Sequence, residues 1–210
     1  MSTDLPRLML VTSRARMKPN FASALAHALE AGARFIQLRE PDLDAPQREA
    51  LAHEAKHLCD QHGATLTINA DDWLGYRLGV GAHWPESALA SCDWTTDYIG
   101  THWRTRIRPT GASVHSVEIA QWAQAWHFGY LVYGHIFPTS SHEGDAPRGL
   151  DALRALCSSV SLPVYAIGGI TAHNAYACLA AGAHGVAAIG AAWDGEDVGA
   201  AVRALVAAVT

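Results

Sequence analysis

Two glycine-bearing runs near the end of the chain, AIGGI at residues 166–170 and GVAAIGAA at 185–192, are well suited to holding an anion. Without a Cβ, Gly168, Gly169 and Gly190 let an oxyanion approach backbone N–H groups where a helix begins, and the helix dipole there favours negative charge. The chemistry implied is phosphate binding; the plainer role is to make tight turns. Upstream, SVHS at residues 113–116 places His115 at the end of an apolar run. An imidazole titrates close to pH 6.5 and so transfers protons near neutrality, although a polar strand cap would use the same residue. Arg39 and Arg148 are partners for a carboxylate or phosphate, because a guanidinium grips either with two N–H groups. Each would serve equally in a surface ion pair.

Such groups act together only if the fold gathers them. Strand-like runs at residues 8–12, 34–39, 65–69, 81–84, 111–115, 130–137, 163–167 and 185–189 alternate with helical patterns at 20–31, 46–62, 72–78, 117–126, 149–160, 172–181 and 196–208. The stretch 91–109, rich in Trp, Thr and Arg, yields no readable element. Continuous apolar runs alternating with helices predict a parallel sheet buried on both faces. Eight such units predict a single-domain α/β protein, a (β/α)8 TIM barrel over residues 1–210, with reactive groups at the strand C-terminal ends. A doubly wound open sheet is the runner-up, but it would place a glycine-rich turn after the first strand, where the chain reads TSRARMKPN.

In the barrel the strand ends carry Arg39 and Glu40, Asn69, His83, His115, His135, the Gly168–Gly169 pair and Gly190. The loops after strands seven and eight are a frequent phosphate site in this architecture. His135 reads as a satisfied core histidine inside strand six. His83 and His142 are weaker candidates, although His142 lies in the polar loop 138–148, long enough to act as a lid.

Composition narrows the function classes. The 210 residues are 50% hydrophobic and 17% charged, with a formal net charge of −5. That excludes disorder and argues against a nucleic-acid partner, which calls for a basic face. No apolar run reaches the length of a membrane span and no signal core opens the chain, so a cytoplasmic location is expected. Cys59, Cys92, Cys157 and Cys178 lack CxxC pairing, so free core thiols are expected rather than zinc or disulfides. His53 and His57 stand one helical turn apart, but between charged neighbours they read as a solvated helix face. Lys18 and Lys56 are the two lysines, and neither sits at a strand end as a Schiff-base lysine would. A homo-oligomer stays open.

Taken in order, IQLRE (36–40), TIN (67–69), SVHS, YGHIFPTSSHEGDAPRGLDAL (133–153), LPVYAIGGIT and GVAAIGAA resemble the thiamine-phosphate synthase/thiazole tautomerase superfamily over nearly the whole chain. The resemblance implies a phosphate-binding barrel with two kinds of chemistry. The synthase branch joins a pyrimidine pyrophosphate to a thiazole phosphate and uses Mg²⁺ held by carboxylates. Its third-strand motif resembles IND, where this chain has Ala70 with Asp71 next to it. Its HLGQxD motif becomes 83–88 HWPESA, with Ala88 at the second metal position. Its QxRxK motif ends here in Pro41, and its sixth-loop lysine is replaced by His142.

The tautomerase branch shifts a proton within a thiazole carboxylate phosphate so that the ring becomes aromatic, and it needs no metal or cofactor. Its signature resembles SVHS, then GHxFxT at 134–139, then Arg148-Gly149. By that resemblance His115 is the proton-transfer residue. The backbone N–H groups of Gly168, Gly169, Gly190 and Ala191 hold the phosphate, and Arg39, Asn69, Thr139 and Arg148 complete the substrate site. The expectation is a metal-independent thiazole tautomerase acting on a small phosphorylated thiazole. The alternatives are the synthase reaction or a non-catalytic binder of a phosphorylated heterocycle.

Overall fold

Residues 5–91, 109–142 and 144–210 are described by the computed structural model. Eight strands pair in chain order, every pair parallel, and β8 closes onto β1. They are β1 (Leu8–Val11), β2 (Phe35–Leu38), β3 (Thr65–Asn69), β4 (Gly81–Trp84), β5 (Thr110–Val114), β6 (Tyr130–Gly134), β7 (Val164–Ile167) and β8 (Gly185–Ala188). The helices between them are α1 (Phe21–Glu30), α2 (Ala45–Gln61), α3 (Asp72–Leu78), α4 (Glu86–Ser91), α5 (Val117–Ala125), α6 (Gly149–Ser159), α7 (Ala175–Ala180), α8 (Gly190–Trp193) and α9 (Val198–Val209). The architecture is the expected (β/α)8 barrel. Among the described residues no helix is long and apolar enough to cross a membrane. The tryptophans near residue 100 and Cys92 lie outside the described residues.

Side chains alternate across each strand, so the strands feed two cores, the inner one drawing on β1, β2, β6, β7 and β8. One set packs between strands and helices. The other fills the barrel itself: Met9, Val11, Phe35, Tyr130, Val132 and Tyr165 belong to one buried cluster. The three rings meet edge to face, with centroids 5.3 Å apart for Phe35–Tyr130 and 5.8 Å for Tyr130–Tyr165. Gly111 makes room for them, because a Cβ there would lie 1.9 Å from the Tyr130 ring. Gly111→Ala is therefore expected to cost about 3 kcal/mol by overpacking. Urea unfolding would read this as a lower midpoint at unchanged slope, and an unshifted midpoint would show that the ring can move aside.

Short polar residues start five of the helices. The side chains of Asn20, Asp71, Ser116 and Asp197 each accept the N–H three residues on, and Asp44 forms a capping box with Gln47. Two boundaries differ from the sequence expectation by three residues. β6 ends at Gly134, not at residue 137: Ile136 N–H donates to Ile167 O at 2.9 Å and Phe137 N–H to Gly168 O at 3.0 Å. The apolar run continues because Ile136 is buried as a loop residue across the end of β7. His135 is accordingly a half-buried strand-end residue and not part of strand six. α7 begins at Ala175 rather than 172, because Asn174 Nδ2 donates to Gly169 O at 2.8 Å and its Oδ1 accepts Thr171 N–H, tying down the preceding turn. His53 and His57 lie on the exposed face of α2, as expected.

Candidate active site at the barrel mouth

The C-terminal strand ends open on one face, and the floor of that mouth is polar. Gln37 Nε2 donates to Asn69 Oδ1 at 3.2 Å across β2 and β3. Across β4 and β5, His83 Nε2 lies 2.9 Å from Ser113 Oγ, and His83 Nδ1 lies 3.0 Å from the Tyr130 hydroxyl. His83 is 1% exposed. Burial, reinforced by the Arg39 guanidinium, pushes its pKa down to about 3, so the imidazole is neutral. Arg39 itself follows β2 and is exposed, and its backbone N–H donates to Thr12 Oγ1 at 3.0 Å.

His115 follows β5 and its side chain is exposed, while its backbone is held on both sides. Its N–H donates to the Glu86 carboxylate, and its carbonyl accepts Arg148 Nη1 at 3.1 Å. Arg148 also donates through Nε to Gly134 O at 2.7 Å and lies over the Tyr133 ring. Its guanidinium thus ties the β5 and β6 ends together, a role distinct from the ligand contact suggested by residue type. Thr139 Oγ1 accepts Ser141 N–H at 3.4 Å within the β6 loop, and His135 Nε2 is 3.4 Å from Asp145 O. His142 lies in the 3-10 turn Ser140–His142, and its side chain is outside the described residues.

The glycines after β7 have two jobs. Gly168 and Gly169 have φ of +95° and +65°, which strain any other L-residue, and a Cβ on either would strike His135 Cβ at 2.2 Å or Pro138 O at 2.5 Å. Their N–H groups donate to nothing among the described residues. Gly190 and Ala191 open the short helix α8, whose first N–H groups have no intrahelical partner. These donors are suited to an anion.

Sequence reading passed over Arg16. Its Nη1 lies 2.8 and 2.7 Å from the two Asp194 oxygens, beside Gly190. The basic run TSRARMK directly after β1 carried the signal. Arg14 is in the same loop: its N–H donates to both oxygens of the buried Glu40, and its side chain pairs with Asp42.

The residues do not fit the Mg²⁺ site that the synthase chemistry implies. Ala70 and Ala88 supply no ligand, and the neighbouring Asp71 and Glu86 are engaged by the protein. Asp71 caps Leu74 N–H and pairs with Arg48 Nε at 3.2 Å, and Glu86 holds His115 N–H. Among the described residues no group of three His, Cys, Asp or Glu is placed to hold a metal.

Comparison with known proteins bears on this site. The family profile TMP-TENI, described as thiamine monophosphate synthase, matches residues 8–192. A thiamine-phosphate synthase of Chromobacterium violaceum is 37% identical over 88% of this chain and 86% of its own length. One of Pyrococcus horikoshii is 33% identical over 95% and 92%. Among solved structures, thiamine phosphate pyrophosphorylase from Pyrococcus furiosus superposes with a TM-score of 0.81 at 28% identity, covering 99% of this chain and 96% of that one. None of these names refers to tautomerisation. Matched in sequence and in fold from the first strand to the short helix after the last, the chain belongs to the thiamine monophosphate synthase family.

Proposed function

We propose that the protein moves a proton within a phosphorylated thiazole carboxylate, converting a non-aromatic ring to the aromatic tautomer. His115 serves as general acid/base. The backbone N–H groups of Gly168, Gly169, Gly190 and Ala191 take the phosphate, with Arg39 and Asn69 at the rim and floor. Thr139 and Arg148 shape the sixth loop around them. One proton leaves a ring carbon and one returns elsewhere on the same molecule, so the step needs no second substrate. The observation that carries this reading is the fate of the carboxylates beside the two alanines: Asp71 is a helix cap and Glu86 a backbone clamp.

A second reading is the synthase reaction, favoured by the names of the relatives. The test is an assay of the thiazole carboxylate phosphate tautomer in chelator, following ring aromatisation by ultraviolet absorbance. An acceleration of a hundredfold over the spontaneous rate, about 2.7 kcal/mol of barrier, is the expected result. No acceleration in chelator, with thiamine phosphate formed from the pyrimidine pyrophosphate when Mg²⁺ is added, would overturn it in favour of the synthase. Saturable binding without turnover in either assay would leave a non-catalytic binder.

A further inference from the structure

Arg16 joins the loops that follow β1 and β8, and both loops are fixed where it crosses. The buried Trp193 donates its indole N–H to Val11 O at 2.8 Å, which pins the β8 loop to the end of β1. Asp194 comes next in the chain, and its own N–H donates to Gly190 O at 2.9 Å. On the β1 side, Arg14 N–H donates to both oxygens of the buried Glu40, and Arg16 N–H donates to Ser13 O at 2.8 Å. The pairing between Arg16 and Asp194 is incomplete in a particular way. A guanidinium matches a carboxylate best when two of its nitrogens each take one oxygen. Here a single nitrogen, Nη1, takes both Asp194 oxygens, at 2.8 and 2.7 Å. Nε and Nη2 donate to nothing among the described residues, and the Arg16 side chain is 35% exposed. An ion pair so open to solvent adds little to stability. The pair lies against Gly190, where a Cβ would strike Asp194 Oδ2 at 2.7 Å and come within 3.5 Å of Arg16 Nη1. No side chain separates the guanidinium from that stretch of backbone.

We propose that Arg16 is a further phosphate-recognition residue: Asp194 holds its guanidinium by one nitrogen, and the open Nε and Nη2 edge takes an oxygen of the phosphoryl group seated at Gly190. The inference rests on the reading that places the phosphate there, and adds to it a side chain that senses the charge. Asp194 is a positioning residue in this scheme. By holding a long side chain in place before the ligand arrives, it reduces the freedom lost on binding. Arg16 in turn offsets the Asp194 carboxylate, which would otherwise repel an anion beside Gly190. A lysine could not replace it, because an ammonium is a point charge without a second edge to offer.

The test is a binding titration of the full-length protein with thiazole phosphate and with the unphosphorylated thiazole alcohol. Arg16→Ala is expected to weaken thiazole phosphate by about tenfold or more, with the alcohol and the melting temperature unchanged. Arg16→Lys should stay weakened. The double variant Arg16→Ala with Asp194→Asn should stay weakened too, because removing the Asp194 charge does not restore the lost donors. Wild-type affinity in Arg16→Ala or in Arg16→Lys would overturn the proposal. Affinity restored in the double variant would also overturn it, since Arg16 would then serve only to offset Asp194. The titration needs no turnover, so it decides the role of Arg16 whichever reaction the protein performs. Gly190→Asp separates this proposal from the placement of the phosphate: a loss there with an unaffected Arg16→Ala keeps the anion at Gly190 and removes Arg16 from its site.

Discussion

His115→Ala is expected to lower turnover of the thiazole tautomer by about 10² to 10⁴-fold, the usual contribution of a general acid/base, while affinity for the phosphorylated product is retained. The separation is expected because backbone and side chain do different work at this position. The loop is held by the His115 N–H on Glu86 and by its carbonyl under Arg148, and both contacts survive truncation at Cβ. The imidazole is exposed at the mouth, so its loss should change stability by less than about 0.5 kcal/mol. Steady-state kinetics with a parallel binding titration of the product would read both quantities. Retained turnover would remove His115 from the role of proton carrier, and joint loss of turnover and affinity would make it a binding residue.

Gly190→Asp should abolish anion binding, weakening phosphorylated ligands by at least about a hundredfold, on the order of 3 kcal/mol. The choice of glycine matters. A side chain at Gly169 would meet Pro138 O at 2.5 Å on a left-handed backbone, so a loss there would mix charge with a distorted loop. At Gly190 the nearest atom to a new Cβ is Asp194 Oδ2 at 2.7 Å, the end of an exposed side chain that pairs with the Arg16 guanidinium. An added carboxylate would face the first N–H groups of α8 and displace the anion they attract. Isothermal titration with the thiazole phosphate should show the loss at an unchanged melting temperature. Wild-type affinity in this variant would mean that the anion sits elsewhere in the mouth.

Much of this could be read from the chain before it folded. The eight apolar runs predicted the barrel because a strand buried on both faces must be apolar at every position, and a surface helix must not. The strand-end positions of Arg39, Asn69, His115 and Gly168 follow from the same pattern. The boundary errors have local causes. Residues 135–137 are as apolar as a strand because they are buried as a loop over β7, and hydropathy does not distinguish those two fates. Asn174 looks like one more polar helix residue until its amide is seen on Gly169 O.

The composition and order of motifs by themselves determined the barrel, the family resemblance and which residues end its strands to within a few positions, since periodicity and chain order are properties of the sequence alone. What each of those residues does was decided by tertiary structure. Arg148 ties two strand ends together, Asp71 and Glu86 are occupied by backbone N–H groups, Arg16 reaches Asp194 across the closing seam, and His83 is a neutral link between Tyr130 and Ser113. The physical reason is common to all five. The role of a polar side chain depends on the partners and the solvent it is left with, and apart from the Asp71 cap on Leu74 those partners come from residues 14 to 178 positions away that meet only when the barrel closes.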